Sequence, residues 1–232
     1  MSFLKKLVNI RILSTRKKKL HHSMLLFFLN FTFVFVIGVV PNVTWKNELY
    51  NIVVSGIFFA AVISISDQHI RYLVSALVLT IFTWVSTYLS LNFMIHLTSI
   101  LTIIFFSYII AFSIVRISKS KKVGTLEFLR SVNIYFLIGI VGAVVFKSLY
   151  ATNPDSIHIP GNKFPKTTDL VFFSFETITT LGYGDITPVS AMAKSIAIFL
   201  SFSGQLYLTF IIAMLIGKYL RGDYRIEEKN DK

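Results

Sequence analysis

Six long apolar segments separated by short polar ones organise this chain of 232 residues. They lie near residues 23–40, 49–66, 72–90, 97–115, 131–150 and 191–220. Each has the length of a helix that crosses about 30 Å of hydrocarbon. The pattern predicts an all-α membrane protein with six transmembrane helices. A further apolar segment, residues 170–179, is too short to cross and is expected to enter and turn back, with Thr168 or Asp169 as its cap. Pro41 stops the first span, Trp45 is an expected interface anchor, and Asp67, His69 and Arg71 mark a short return loop. Asn30 and Thr32, inside the first span, are expected to face neighbouring helices rather than lipid. Asn42-Val-Thr44 fits a glycosylation sequon, a pattern short enough to arise by chance. Pro188 is expected to open the sixth span.

Composition agrees with this pattern. The chain is 54% hydrophobic and 15% charged, and its mean hydropathy is +0.70, more apolar surface than an ordinary soluble domain can bury. It has no cysteine, which excludes disulfides and thiolate metal sites. A net charge of +12 would suit a nucleic-acid partner, but the basic residues cluster at span ends, where they set orientation and meet anionic lipid. No nucleic acid is expected.

Residues 1–22 carry Lys5, Lys6, Arg11, Arg16, Lys17, Lys18 and Lys19 and no acid, with Leu4, Leu7, Ile10 and Leu13 at helical spacing among them. Two readings fit: an interfacial helix that binds anionic lipid through Lys5, Lys6, Arg16, Lys17, Lys18 and Lys19, or a solvated tail that only sets topology. The basic region is too long for a secretory signal. Residues 1–22, 116–130 and 218–232 are the basic stretches, so six spans put all three, and both termini, in the cytoplasm. The chain then divides into a basic amino-terminal segment (1–22), a four-helix, sensor-like membrane domain (23–118), a linker (119–130), a pore domain (131–220) and a short tail (221–232).

The fourth span lacks any basic residue between positions 97 and 115. A voltage sensor needs several arginines within the membrane, each worth about 2.3 kcal/mol per 100 mV. Arg116, Lys119, Lys121 and Lys122 sit beyond the span as cytoplasmic anchors, so voltage is not the expected trigger.

Thr177-Ile-Thr-Thr-Leu-Gly-Tyr-Gly-Asp185 follows the short apolar segment. Irregular, glycine-rich backbone at membrane depth is tolerated only where protein buries it or where it lines a water-filled path. The segment is therefore read as an ion-coordinating pore loop with carbonyl oxygens as ligands. The carbonyls of Thr180, Leu181, Gly182 and Tyr183, with the Thr180 hydroxyl, would supply successive rings. Gly182 and Gly184 can take the positive φ angles that turn consecutive carbonyls to one axis. The Tyr183 ring is expected to pack outward on Phe172, Phe173 or Phe175, and the carboxyl end of the short helix would favour a cation. One loop per chain closes a ring only as a homotetramer.

The run Thr177-Ile-Thr-Thr-Leu-Gly-Tyr-Gly-Asp-Ile-Thr-Pro188 resembles the signature of potassium channels, with leucine at the variable filter position. Tyr135-Phe-Leu-Ile-Gly139, Phe173-Ser-Phe175 and Gly204-Gln-Leu-Tyr-Leu208 are similar to bacterial channels of the two-transmembrane pore-domain superfamily. The specific resemblance covers about residues 124–220. It implies a re-entrant pore helix and selectivity-filter loop between helices 5 and 6, a tetrameric pore in a bacterial cytoplasmic membrane, and passive K⁺ conduction with no cofactor. It also implies K⁺ coordination at Thr180, Leu181, Gly182, Tyr183 and Gly184, with Thr177, Thr179, Glu176 and Asp185 supporting the filter.

Gly204 lies 20 residues after Gly184, where the resemblance implies a gating hinge; close helix packing is the equal alternative. Glu176 and Asp185 would stand close behind the filter, where two carboxylates cannot both ionise cheaply, so a shared proton could couple pH to inactivation. The alternative is a Glu176 satisfied locally by Tyr183 or by backbone.

Three other functions deserve comparison. Leu181 could loosen the filter into that of a weakly selective cation channel. The chain could also be a non-conducting regulatory subunit, although such a subunit need not keep every coordinating position. A secondary transporter would show internal inverted repeats, and none is found. Histidines at 21, 22, 69, 96 and 158 have no metal-ligand spacing, and no nucleophile–histidine–acid set appears, so no enzyme is expected.

Overall fold

The computed structural model describes the backbone of residues 2–36, 46–65, 69–89, 92–120, 124–161 and 167–230. Among the described residues seven α-helices follow in order: α1 (Ser2–Phe31), α2 (Lys46–Ile65), α3 (His69–Leu89), α4 (Asn92–Lys119), α5 (Thr125–Thr152), α6 (Thr167–Ile178) and α7 (Ala191–Asn230). A turn of π-helix, Thr32–Val36, extends α1. Two short strands, β1 (Ile157–His158) and β2 (Thr187–Pro188), pair antiparallel on either side of α6. Pro41, Trp45, the sequon and Asp67 lie outside the described residues, as do the side chains of Lys5, Lys6, Arg11, Arg16, His69 and Arg71.

Among the described residues four helical stretches are long and apolar enough to cross a membrane: Lys17–Val36, His96–Lys119, Thr125–Thr152 and Ala191–Lys218. The apolar stretches of α2 and α3, Leu49–Ser64 and Tyr72–Ser86, are shorter. The basic amino-terminal residues form no separate element, since α1 runs unbroken from Ser2 into the first apolar stretch.

Lipid offers helices little hydrophobic reason to associate, so small residues and interhelical hydrogen bonds must hold the bundle. The sequence supplies both. Ala60 and Ala61 of α2 and Ala76 of α3 are buried in one core cluster, and Phe58 stacks on Phe106 of α4 with ring centroids 5.1 Å apart. Asn30 is fully buried and donates through Nδ2 to Oδ1 of Asn133 on α5 (3.3 Å), while Asn133 Nδ2 donates to the Ser23 carbonyl (2.9 Å). Ser23 in turn bonds Ser64 of α2 at 2.8 Å. Both α1 and α4 pack along α5. The outer faces are apolar: Phe28, Leu77, Ile104 and Phe210 are all exposed.

Where the apolar stretch of α7 ends, Lys218 Nζ donates to the carbonyls of Ile117 (2.9 Å), Ser118 (2.6 Å) and Ser120 (3.0 Å). These carbonyls end α4, where the helix dipole is negative and a cation is favoured. Ile117, Ile134, Tyr207 and Ile211 form a small core beside this contact, and the Tyr207 hydroxyl donates to the Ser131 carbonyl (2.8 Å).

Candidate functional site

The site grows from α6. Twelve residues make a helix of about 18 Å, well short of a bilayer's hydrocarbon. It starts at Thr167, so Thr168 and Asp169 lie inside its first turn rather than at the cap. Asp169 there still complements the positive end of the helix dipole. Two close contacts fix α6 against α5. Ser174 Oγ donates to the Gly139 carbonyl (2.6 Å), and a Cβ at Gly139 would run into the Phe175 ring at 2.5 Å. At its carboxyl end the Ile178 carbonyl accepts from the Tyr135 hydroxyl (3.2 Å).

Gly204 of α7 meets the same end of α6. A Cβ there would lie 2.6 Å from the Ile178 carbonyl oxygen, and α7 continues as helix through the position. Close packing is the role this geometry displays.

The chain then leaves α6 with an alternation of backbone hand. Thr180, Gly182 and Gly184 have φ of +59°, +57° and +80°, whereas Leu181 and Tyr183 stay on the negative side. Glycine is needed at 182 and 184 for that φ and not for room, since a Cβ at either would meet nothing within 4 Å. Thr180 carries the strain of a branched residue in the left-handed region, on the order of 1–2 kcal/mol. Its hydroxyl donates to the Thr179 carbonyl (2.6 Å) and accepts from Gln205 Nε2 (3.4 Å).

The N–H groups of this loop turn back onto the helix. Thr179 N donates to Phe175 O (3.1 Å), Thr180 N to Thr177 O (3.1 Å), and Leu181 N to Glu176 O (2.8 Å). Among the described residues no donor reaches the carbonyls of Thr180, Leu181, Gly182 or Tyr183. With its first donors turned back onto α6, the loop keeps these carbonyl oxygens unpaired within the described residues. The hydroxyls of Thr177 and Thr179 also serve α6, donating to Phe173 O (2.7 Å) and Phe175 O (2.6 Å).

Tyr183 lies flat on Phe172, with centroids 6.3 Å apart and an interplanar angle of 5°. Phe173 and Phe175 are engaged elsewhere, with Phe146 and Phe136. Glu176 is buried behind the loop. Its carboxyl bonds that of Asp185 and accepts from the Tyr183 backbone, and Oε2 has no partner. Burial, then the Asp185 charge, push its pKa up to about 6, against the opposing pull of the Tyr183 N–H.

Beyond the loop, β2 pairs with β1, and Val189 N and Ser190 N donate to the buried Ser156 (2.8 and 3.2 Å). Pro188 sits in β2 and does not open α7. Ser190 caps that helix, its Oγ accepting from Ala193 N at 3.1 Å, because its hydroxyl can satisfy a first-turn donor and proline cannot. Sequence reasoning gave no role to Gln205, Tyr135, Ser174 or Ser190. Ser190 ahead of an apolar run was a readable cap signal; the other three act through contacts distant in sequence.

Helices long and apolar enough to cross a membrane, four of them among the described residues, are those of an integral membrane protein. Residues 134–221, from within α5 to the far part of α7, match the sequence model of the ion channel family. No curated protein and no solved structure matches the chain.

Proposed function

We propose that the chain is a subunit of a homotetrameric potassium-selective channel that conducts K⁺ passively in a bacterial cytoplasmic membrane. The observation that carries this reading is the row of free carbonyls from Thr180 to Tyr183, in alternating backbone hand, at the end of a helix too short to span. Four such rows around one axis replace a cation's water shell with oxygens, and Gly184 lets the chain leave the axis. The six-span topology with cytoplasmic termini supplies the setting, with α2 and α3 completing the spans and α6 re-entrant from the outer face. The exposed apolar face of α7, with Ile198, Phe199 and Phe202, is where neighbouring subunits would pack. The lack of charge in α4 before Arg116 favours a trigger other than voltage. Basic residues at Lys5, Lys6 and 16–19 would hold the amino-terminal segment to anionic lipid.

Within this reading the Glu176–Asp185 pair links protonation to filter inactivation, and Gly204 sets the packing against which α7 moves. The decisive experiment is ion flux from liposomes that contain the purified chain alone. Potassium flux with a reversal potential that follows potassium rather than sodium is expected. A reversal potential insensitive to the choice of ion would favour a weakly selective pore loosened at Leu181. Absence of flux would favour a regulatory subunit.

A further inference from the structure

Between α2, α3, α4 and α5, beside the start of α6, lies a cavity of about 290 Å³. Much of its wall is apolar, with Phe106, Ile140 and Val144 among the lining side chains. Lys147 breaks that pattern. It lines the cavity from α5, inside the apolar stretch Thr125–Thr152, and among the described residues it has neither a hydrogen bond nor an ion pair. An ionisable side chain within a membrane span is costly and ordinarily has a partner. Two hydroxyls share its situation. Ser86 of α3 and Thr102 of α4 line the same cavity and are buried, yet neither hydroxyl bonds a described group. By contrast, Thr83 and Thr98 turn their hydroxyls back onto their own helices, donating to Thr80 O (2.7 Å) and Met94 O (2.7 Å).

We propose that this cavity binds a small monocarboxylic acid with an apolar body, its carboxylate on the Lys147 ammonium. The ammonium and the two free hydroxyls can all donate, and a carboxylate only accepts. The apolar remainder of the wall suits the rest of the ligand, and the volume lies at the small end of the range for ligand pockets. Charge narrows the choice further. The Asp169 carboxylate of α6 acts on Tyr50, which lines the cavity from α2, whereas among the described residues no acid acts on Lys147. A second negative group on the ligand would meet that repulsion, so one carboxylate is accepted and two are not. A lysine that only reaches for the membrane edge accounts for its own position but leaves the Ser86 and Thr102 hydroxyls unused. Thr167 and Val171 line the cavity from α6, so an occupant touches the helix that leads into the Thr180 loop.

Ligand-observed NMR on the full-length protein in lipid nanodiscs tests this at neutral pH, with empty nanodiscs as the blank. The probes are benzoate, its neutral counterpart benzamide, and phthalate, which carries a second carboxylate. Wild-type protein should bind benzoate about tenfold more tightly than either of the others, the scale of one charged hydrogen bond. Lys147→Gln should erase that preference and leave benzamide unchanged, while Lys147→Arg should keep it. Thr102→Val, which keeps the shape of the side chain, should weaken benzoate by a few-fold, the scale of a neutral hydrogen bond. Equal or tighter binding of benzamide or phthalate by the wild type overturns the proposal and needs no variant to do so. A Lys147→Gln protein that keeps the preference for benzoate overturns it as well. The readout is binding, so it stands or fails apart from ion conduction.

Discussion

Replacing Glu176 with glutamine removes a buried carboxyl from behind the loop that follows α6 while keeping its size and its capacity to accept from Tyr183. The carboxyl's pKa rises from 4.5 to about 6 in the folded chain. At 1.36 kcal/mol per unit this corresponds to about 2 kcal/mol. Because the folded state holds the proton more tightly than the unfolded one, the stabilisation is complete below pH 4.5 and is lost as pH rises through about 6. Above that range two carboxylates face each other across the end of the loop, and their repulsion pushes on Asp185 where it leaves Gly184. Wild-type protein in liposomes should therefore lose thermal stability between pH 4.5 and 6.5, and inactivation should change over the same window. Glu176→Gln should flatten both curves and hold the stability near its low-pH value. The reasoning fails if the variant keeps the wild-type pH profile, or if the wild-type midpoint stays at or below 4.5.

Further outcomes follow from the same geometry. Gly182→Ala puts a side chain at φ +57° in open space, so the fold should survive a cost of about 1–2 kcal/mol while the potassium-to-sodium permeability ratio drops; an unchanged reversal potential refutes the assignment. Gly204→Ala should destabilise the protein by about 1–3 kcal/mol through overpacking against Ile178, and a melting temperature equal to wild type would return the position to a purely hinge role. Lys218→Met leaves three carbonyls without their cation, and amide exchange around 117–120 should quicken while exchange around 179–186 does not. Equal protection in both segments would remove Lys218 from the contact.

The sequence showed the helical class and the irregular backbone after α6 well, because both rest on local signals. Apolar run length marks a helix in lipid, and two glycines around Tyr183 after a short apolar segment announce irregular backbone. Element ends were less legible. Pro188 looks like a helix opener, yet pairing of β2 with β1 claims it and leaves capping to Ser190. Thr168 and Asp169 are both fit to cap, but α6 begins one residue earlier. What anchors the loop was invisible for another reason. Tyr135 reaches Ile178 across 43 positions and Lys218 reaches Ser120 across 98, and no periodicity encodes such pairs. Gly204 was visible as a special position, but its neighbour was not.

The buried ladder of Ser23, Asn30 and Asn133 has a consequence for synthesis. Asn30 enters the membrane early, and the amide it bonds lies 103 residues later in the chain. At about 5–20 residues per second, that partner emerges roughly 5–20 s after Asn30 does. During this interval the first helix carries a fully polar amide with no native acceptor on α5, at a cost that disfavours free release into lipid. The first helix is therefore a natural client for retention at the insertion machinery until α5 arrives. An Asn30→Leu chain should leave that machinery sooner, even though its finished bundle would lose a hydrogen bond.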